Sequence, residues 1–233
     1  MKAFVVAIDG PAGAGKSATA RGVAERLGLR HVDSGAMYRA VGWWASTRGV
    51  PPDSEPALIK LLESSRIEMG PGGLTIDGRP VEEHIRTAEA GGAASLVAVH
   101  RGVRERLVRL QRSLATPPGI VIEGRDIGTV VFPHADLKIF LTASAEARAQ
   151  RRFEELRARG EPADLASIQA AISERDLRDT GRESSPMVAA PDAFPLDTTG
   201  LTLEEQVDVA SYWAELARLG PGRMRVFHAL SRE

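Results

Sequence analysis

The stretch "GPAGAGKS" (10–17) constrains this chain more than any other. It fits G-x-x-x-x-G-K-[ST] with nothing missing. The apolar, β-branched run "KAFVVAI" (2–8) precedes it and reads as a buried strand. After Lys16, Ala20, Val23, Ala24 and Leu27 recur at i, i+3, i+4 and i+7, with Gly28 placed as a helix stop. Strand, glycine loop and helix in that order predict a loop whose N–H groups surround phosphate oxygens, aided by the helix dipole. Gly10, Gly13, Ala14, Gly15, Lys16, Ser17 and Ala18 are the expected contacts to a nucleoside triphosphate. Lys16 is expected against the β/γ-phosphates and Ser17 on Mg²⁺.

Strand and helix signals then alternate. "LRHVDSG", "GIVIEG" (119–124), "DLKIFLTAS" (136–144) and "DAFPLDTTG" read as further strands. Helical periodicity runs through Met37, Val41 and Trp44, then through Val103, Leu107, Leu110 and Leu114. It returns in "SAEARAQRRFEELRARGEP", with Ser144 as N-cap, in "DLASIQAAISERDLRDTGR", and in a last helix with Leu203, Val207, Ala210, Ala214 and Ala217 on one face. "RGVPPDSEP" reads as a break, and residues 82–99 stay ambiguous because Gly91-Gly92 interrupts an alanine-rich run. "RIEMGPGGLTIDGRPV" (66–81) reads as a small antiparallel hairpin or meander. The expected fold is α/β: a five-stranded parallel sheet with a P-loop NTPase core and inserted segments.

Composition narrows the partners. A formal net charge of −1 argues against a general nucleic-acid or anionic-membrane binder. Cysteine is absent, which removes disulfide and thiolate chemistry. Asparagine is absent too, so the Asn-Lys-x-Asp guanine element of switch GTPases has no counterpart. No run approaches a membrane span or a secretory leader, so a soluble, cytoplasmic chain is the expectation. The five histidines form no sequence cluster and are expected in structural or surface roles.

A phosphoryl acceptor needs its own site, and three arginine-bearing elements follow the loop. "DSGAMYR" (33–39) places Tyr38 and Arg39 in the first turns of a helix. "EGRDIGT" (123–129) places Arg125 and Asp126 at the carboxyl end of a strand, where open α/β sheets bind ligands. In "ERDLRDTGR" (174–182), Arg175, Arg178, Asp179 and Arg182 fall on one helical face. An anion clamp and an ordinary solvated face both fit that spacing.

"IDGPAGAGKS", "DSGAMYR", "IRTAEA", "EGRDIGTVVFPHADLKIFL" and "ERDLRDTGR" together resemble the bacterial cytidylate kinases, members of the nucleoside-monophosphate kinase family. The likeness runs from about residue 3 to about 215. It implies ATP-dependent phosphorylation of CMP and dCMP with Mg²⁺. It implies that Ser34, Tyr38, Arg39, Arg125 and Arg182 surround the CMP phosphate. Ser95, Arg104 and Asp126 would read cytosine, and Arg175 and Asp179 would hold the ribose. Lys16, Arg125, Arg175 and Arg182 would be catalytic, and Arg151 and Arg152 would belong to a lid over ATP. Many relatives carry Asp where Glu123 stands. The implied division is a core of 1–33, 115–143 and 188–219, an NMP-binding domain of 34–114 with a β insert at about 64–95, and a lid of 144–187. The tail, 220–233, carries no readable pattern. A monomer with small-molecule partners is expected. A kinase for UMP or another small acceptor, and a non-catalytic nucleotide-binding regulatory module, remain the alternatives.

Overall fold

The computed structural model describes residues 2–70, 72–183 and 185–220. Residues 221–233 of the patternless tail lie outside them. Two compact units are present: residues up to Val32, Ala115–Gly181 and from Ser185 on; and Asp33–Leu114 with Arg182–Ser184.

The first unit is built on a five-stranded sheet. Strands β1 (Phe4–Asp9), β2 (Arg30–Asp33), β6 (Gly119–Gly124), β7 (Leu137–Thr142) and β8 (Phe194–Asp197) lie in the order β2-β6-β1-β7-β8. β1 pairs in parallel with both β6 and β7, and β7 with β8. The register of β1 on β6 runs from Phe4 opposite Gly119 to Asp9 opposite Gly124. Their carboxyl ends are therefore level, and the loops that leave them start side by side.

Helices α1 (Lys16–Leu27) and α8 (Leu203–Arg218) contribute Ala20, Val23, Ala24, Val207, Ala210 and Ala214 to a core with Val6, Ile8, Val121, Ile139 and Leu141. The expected face of α8 is present, except that Leu203 in its first turn is half exposed. Gly28 stops α1 in the left-handed region. Ser144 caps α6 (Ala145–Ala158), accepting from Ala147 N at 3.1 Å. α7 (Leu165–Thr180) packs along α6.

The second unit holds α2 (Ser34–Thr47), α3 (Glu55–Glu63), α4 (Ala88–Val97), α5 (Arg101–Ser113) and a three-stranded antiparallel sheet. That sheet is β3 (Ile67–Gly70), β4 (Gly73–Ile76) and β5 (Arg79–Pro80). Asp77 and Gly78 both have positive φ, as a tight hairpin turn demands. The ambiguous stretch resolves as α4. Thr87 caps it, and its Ala93 lies so close to Gly42 of α2 that a Cβ there would meet it at 2.7 Å. Packing against α2 offsets the roughly 1 kcal/mol that each glycine costs a helix. α3 went unread behind the prolines, yet Leu58, Leu61 and Leu62 are its buried stripe.

Candidate active site

Side chains grip the carbonyls of the glycine loop. Arg125 Nη1 donates to Gly10 O at 2.9 Å, Lys16 Nζ to Pro11 O at 2.7 Å, Arg148 Nη1 to Ala12 O at 3.2 Å, and Thr198 Oγ1 to Ala14 O at 3.0 Å. A trans peptide points its C=O and N–H in opposite directions. Anchoring the carbonyls of Pro11, Ala12 and Ala14 therefore turns the amides of Ala12, Gly13 and Gly15 the other way, as an anion-binding concavity requires. Gly10 (φ 144) and Gly15 (φ 89) hold the backbone that this needs. Ala18 follows Ser17 in the first turn of α1.

Lys16 is buried at 7% exposure. Burial, then repulsion from Arg125, pushes its ammonium down to about 7; Glu123 and Asp9 oppose the shift, and Arg175 adds to it. Cationic groups thus crowd the loop before any phosphate arrives.

Asp9, the last residue of β1, accepts from Ile127 N at 2.8 Å and Gly128 N at 2.7 Å. Those amides open a single π-helical turn, Ile127–Val131, directly after Asp126. Burial raises the Asp9 carboxyl to about 6 against the two amide bonds; Asp126 raises it further and Lys16 lowers it. Asp9 so pins the segment that carries Arg125 and Asp126 to the strand that launches the loop.

Ser17 Oγ donates to Glu123 Oε2 at 2.8 Å, and His31 Nε2 lies 3.1 Å from Glu123 Oε1. Mg²⁺ takes oxygen ligands and relies on phosphate oxygens and water for most of them. One hydroxyl beside a buried carboxylate fits that ion. Among the described residues, no group of three or more His, Cys, Asp or Glu forms an all-protein metal site.

α7 turns its C-terminal acid toward the loop. Asp179 Oδ2 accepts from Arg125 Nε at 2.8 Å and lies 3.9 Å from Arg175 Nε. Arg178 pairs with Glu174 on the same helix at 2.5 Å. The expected stripe needs one correction. Arg182 is not on it: Gly181 ends the helix after Thr180, whose hydroxyl bonds back to Asp176 O at 2.8 Å.

In the second unit Asp33 caps α2 through Ala36 N at 3.0 Å and takes Arg39 Nη2 at 2.7 Å. Ser34, Tyr38, Ser95 and Arg104 are all buried. The Arg104 guanidinium stands 5.6 Å from the Tyr38 ring centroid. Arg182 belongs to this unit.

Arg151 reaches Thr198, with Nη1 3.1 Å from its Oγ1 and Nη2 on its carbonyl. Arg152 pairs with Glu155 at 2.7 Å on its own helix. Arg148 went unsingled in the sequence. It is buried, and besides Ala12 O it grips Ala143 O at 3.1 Å and Asp176 Oδ2 at 2.6 Å. Its place within "EARAQRR" was the only signal. Asp9, Asp176 and Thr198 carry no signal in the sequence, and His31 was expected in a structural or surface role.

A parallel sheet with an anion-binding glycine loop after its central strand, its carbonyls gripped by Arg125 and the buried Arg148, defines a P-loop α/β protein built to hold a polyphosphate. The chain belongs to the cytidylate kinase family, whose sequence profile matches residues 6–215. It is 47% identical over 206 residues to a cytidylate kinase of Solibacter usitatus (strain Ellin6076), covering 88% of this chain and 89% of that one. It is 48% identical over 207 residues to one of Geobacillus kaustophilus (strain HTA426), covering 87% and 92%. A bifunctional pantoate ligase/cytidylate kinase of Synechococcus sp. (strain WH7803) is 49% identical over 210 residues, and the match spans 43% of that longer protein and 88% of this chain. A solved structure of an uncharacterized protein from Eubacterium ventriosum ATCC 27560 shares the fold, with a TM-score of 0.51 at 10% identity, covering 91% of this chain and 98% of that one.

Proposed function

We propose that this chain transfers the γ-phosphoryl group of ATP to CMP and dCMP, giving CDP and dCDP. The observation that carries the reading is the geometry of the glycine loop: Lys16 Nζ donates to Pro11 O at 2.7 Å and Arg125 Nη1 to Gly10 O at 2.9 Å, and burial, then Arg125 and Arg175, push the Lys16 ammonium down. Such crowding of cations is costly until polyanions fill the site.

In the transfer, the bond from γ-phosphorus to the β,γ-bridging oxygen breaks, and one forms to an oxygen of the acceptor phosphate. ADP leaves. The acceptor oxygen is already largely ionised near neutrality, because a phosphate monoester has a second pKa of about 6. No general base is needed. The protein's work is alignment and charge neutralisation. The loop amides hold the β- and γ-phosphates, Lys16 sits against them, and Arg125 and Arg175 meet charge on the transferring group. Ser17, with Glu123 beside it, would hold Mg²⁺, which would supply positive charge against the phosphates. On this reading Ser34, Tyr38, Arg39, Arg125 and Arg182 hold the CMP phosphate. Ser95, Arg104 and Asp126 read cytosine, and Arg175 and Asp179 hold the ribose. Residues 34–114 act as the acceptor-binding domain. Residues 144–187, with Arg151 and Arg152, act as a lid that expels water.

Among the described residues no helix is long and apolar enough to cross a membrane. A cytoplasmic monomer acting on free nucleotides is part of the proposal. ADP release, measured with ATP, Mg²⁺ and a panel of monophosphates, tests it. Turnover is expected with CMP and dCMP. Faster turnover with UMP would replace the acceptor assignment, and no turnover with any acceptor would leave a nucleotide-binding module.

A further inference from the structure

Glu123 is held at both oxygens. It sits at 3% exposure next to the end of β6. Oε2 takes the Ser17 hydroxyl at 2.8 Å, and Oε1 faces His31 Nε2 at 3.1 Å. His31 comes from β2, the strand beside β6, and its side chain is 21% exposed. A carboxylate only accepts, so Nε2 is the protonated nitrogen of that imidazole. Glutamate carries one more rotatable bond than aspartate, and a glutamate with one tethered oxygen swings about the other. The imidazole removes that freedom. When the Ser17 proton points at Glu123, the hydroxyl lone pairs face away, free for a cation.

We propose that His31 is a positioning residue for the Mg²⁺ that accompanies ATP: it fixes the Glu123 carboxylate, which in turn orients the Ser17 hydroxyl. This rests on the nucleotide reading of the loop. Partners of this kind, one step removed from a ligand, typically change metal affinity 10- to 100-fold, so about tenfold is expected here.

Calorimetric ATP binding, with and without Mg²⁺, is the test. In His31→Phe, affinity for metal-free ATP stays as in the parent, while the gain in affinity from Mg²⁺ falls about tenfold. His31→Gln, whose amide donates to Oε1, recovers most of that gain. CMP affinity does not move. His31→Phe and Glu123→Gln combined lose no more than Glu123→Gln alone, because both act through one carboxylate. A Mg²⁺ gain unchanged in His31→Phe, equal loss in the Phe and Gln variants, or additive losses in the double variant would each overturn the assignment. Should His31→Phe not fold, Gln against Leu at position 31 gives the same comparison under the same criteria. Failure of the nucleotide reading looks different: the parent protein itself would then show no Mg²⁺-dependent ATP binding.

Discussion

Arg125 and Asp179 form a part-buried ion pair, Nε to Oδ2 at 2.8 Å, that ties the loop after β6 to the end of α7. The same guanidinium reaches Gly10 O, so one side chain joins glycine loop, sheet and helix.

Removing Asp179 leaves the Arg125 guanidinium charged, mostly covered and short of its acidic partner. Asp179→Ala is expected to lower unfolding free energy by about 3 kcal/mol, read from urea denaturation, and Asp179→Asn by less because it keeps an acceptor. Equal losses in the two variants would show that charge does not set the cost.

Arg148 grips Ala12 O, Ala143 O and Asp176 at once. Arg148→Met frees one carbonyl of the phosphate loop and leaves Asp176 without that partner. ATP affinity is expected to fall about tenfold, or about 1.4 kcal/mol, by calorimetry. Unaltered affinity would show that the remaining donors hold the loop unaided.

Asp9 has a folded pKa of about 6 against 3.8 for an ordinary aspartate. The folded chain keeps the proton between those values while the unfolded chain loses it. Asp9 therefore contributes a stability that is complete below about pH 4 and is lost as pH rises through about 6. Asp9→Asn lacks that downward component, so its stability deficit relative to the parent narrows from pH 4 to pH 7 (about those limits). Urea midpoints at several pH values read it, and a constant deficit would contradict the assignment.

Asp126 is buried at the start of the π-helical turn. A carboxylate accepts from the N4 amine of cytosine, whereas uracil offers an oxygen there. Asp126→Asn is expected to lower the CMP/UMP ratio of kcat/KM about tenfold or more. A ratio that stays put would remove Asp126 from base recognition.

A Cβ on Gly10 would lie 2.1 Å from Leu141 O, at a φ of 144. Gly10→Ala is expected to abolish ATP binding or folding, since backbone on β7 has no room to retreat. Gly200→Ala, with nothing within 4 Å of the new atom, serves as the control and should shift stability by about 0.5 kcal/mol or less. Normal ATP affinity in Gly10→Ala would refute the tight approach.

The sheet, the glycine loop and most helices were legible because their signals are local: a β-branched run, a spacing, a cap. α3 was hidden because Pro51, Pro52 and Pro56 read as breakers, although proline at a first turn is compatible with a helix. α4 was obscured by Gly91 and Gly92, whose cost is offset only by packing on α2. The helix stop at Gly181 was available in "DTGR" and was outweighed by the arginine spacing. Arg148 differs from its solvated neighbours only in burial, which spacing does not reveal. Tyr38 was legible with Arg39 as a helix start near an anion, whereas Ser34, Ser95 and Arg104 came from family likeness; from sequence alone their burial had no signature.

The level ends of β1 and β6 act as a shared ruler. Lengthening either strand by one residue would shift Asp9 against the amides it holds and flip the alternation of every side chain beyond the insertion. On the proposed assignment, redesign for another acceptor has its freedom in α2, α4 and α5, whereas Asp126 is tied to that gauge through the amides that Asp9 holds.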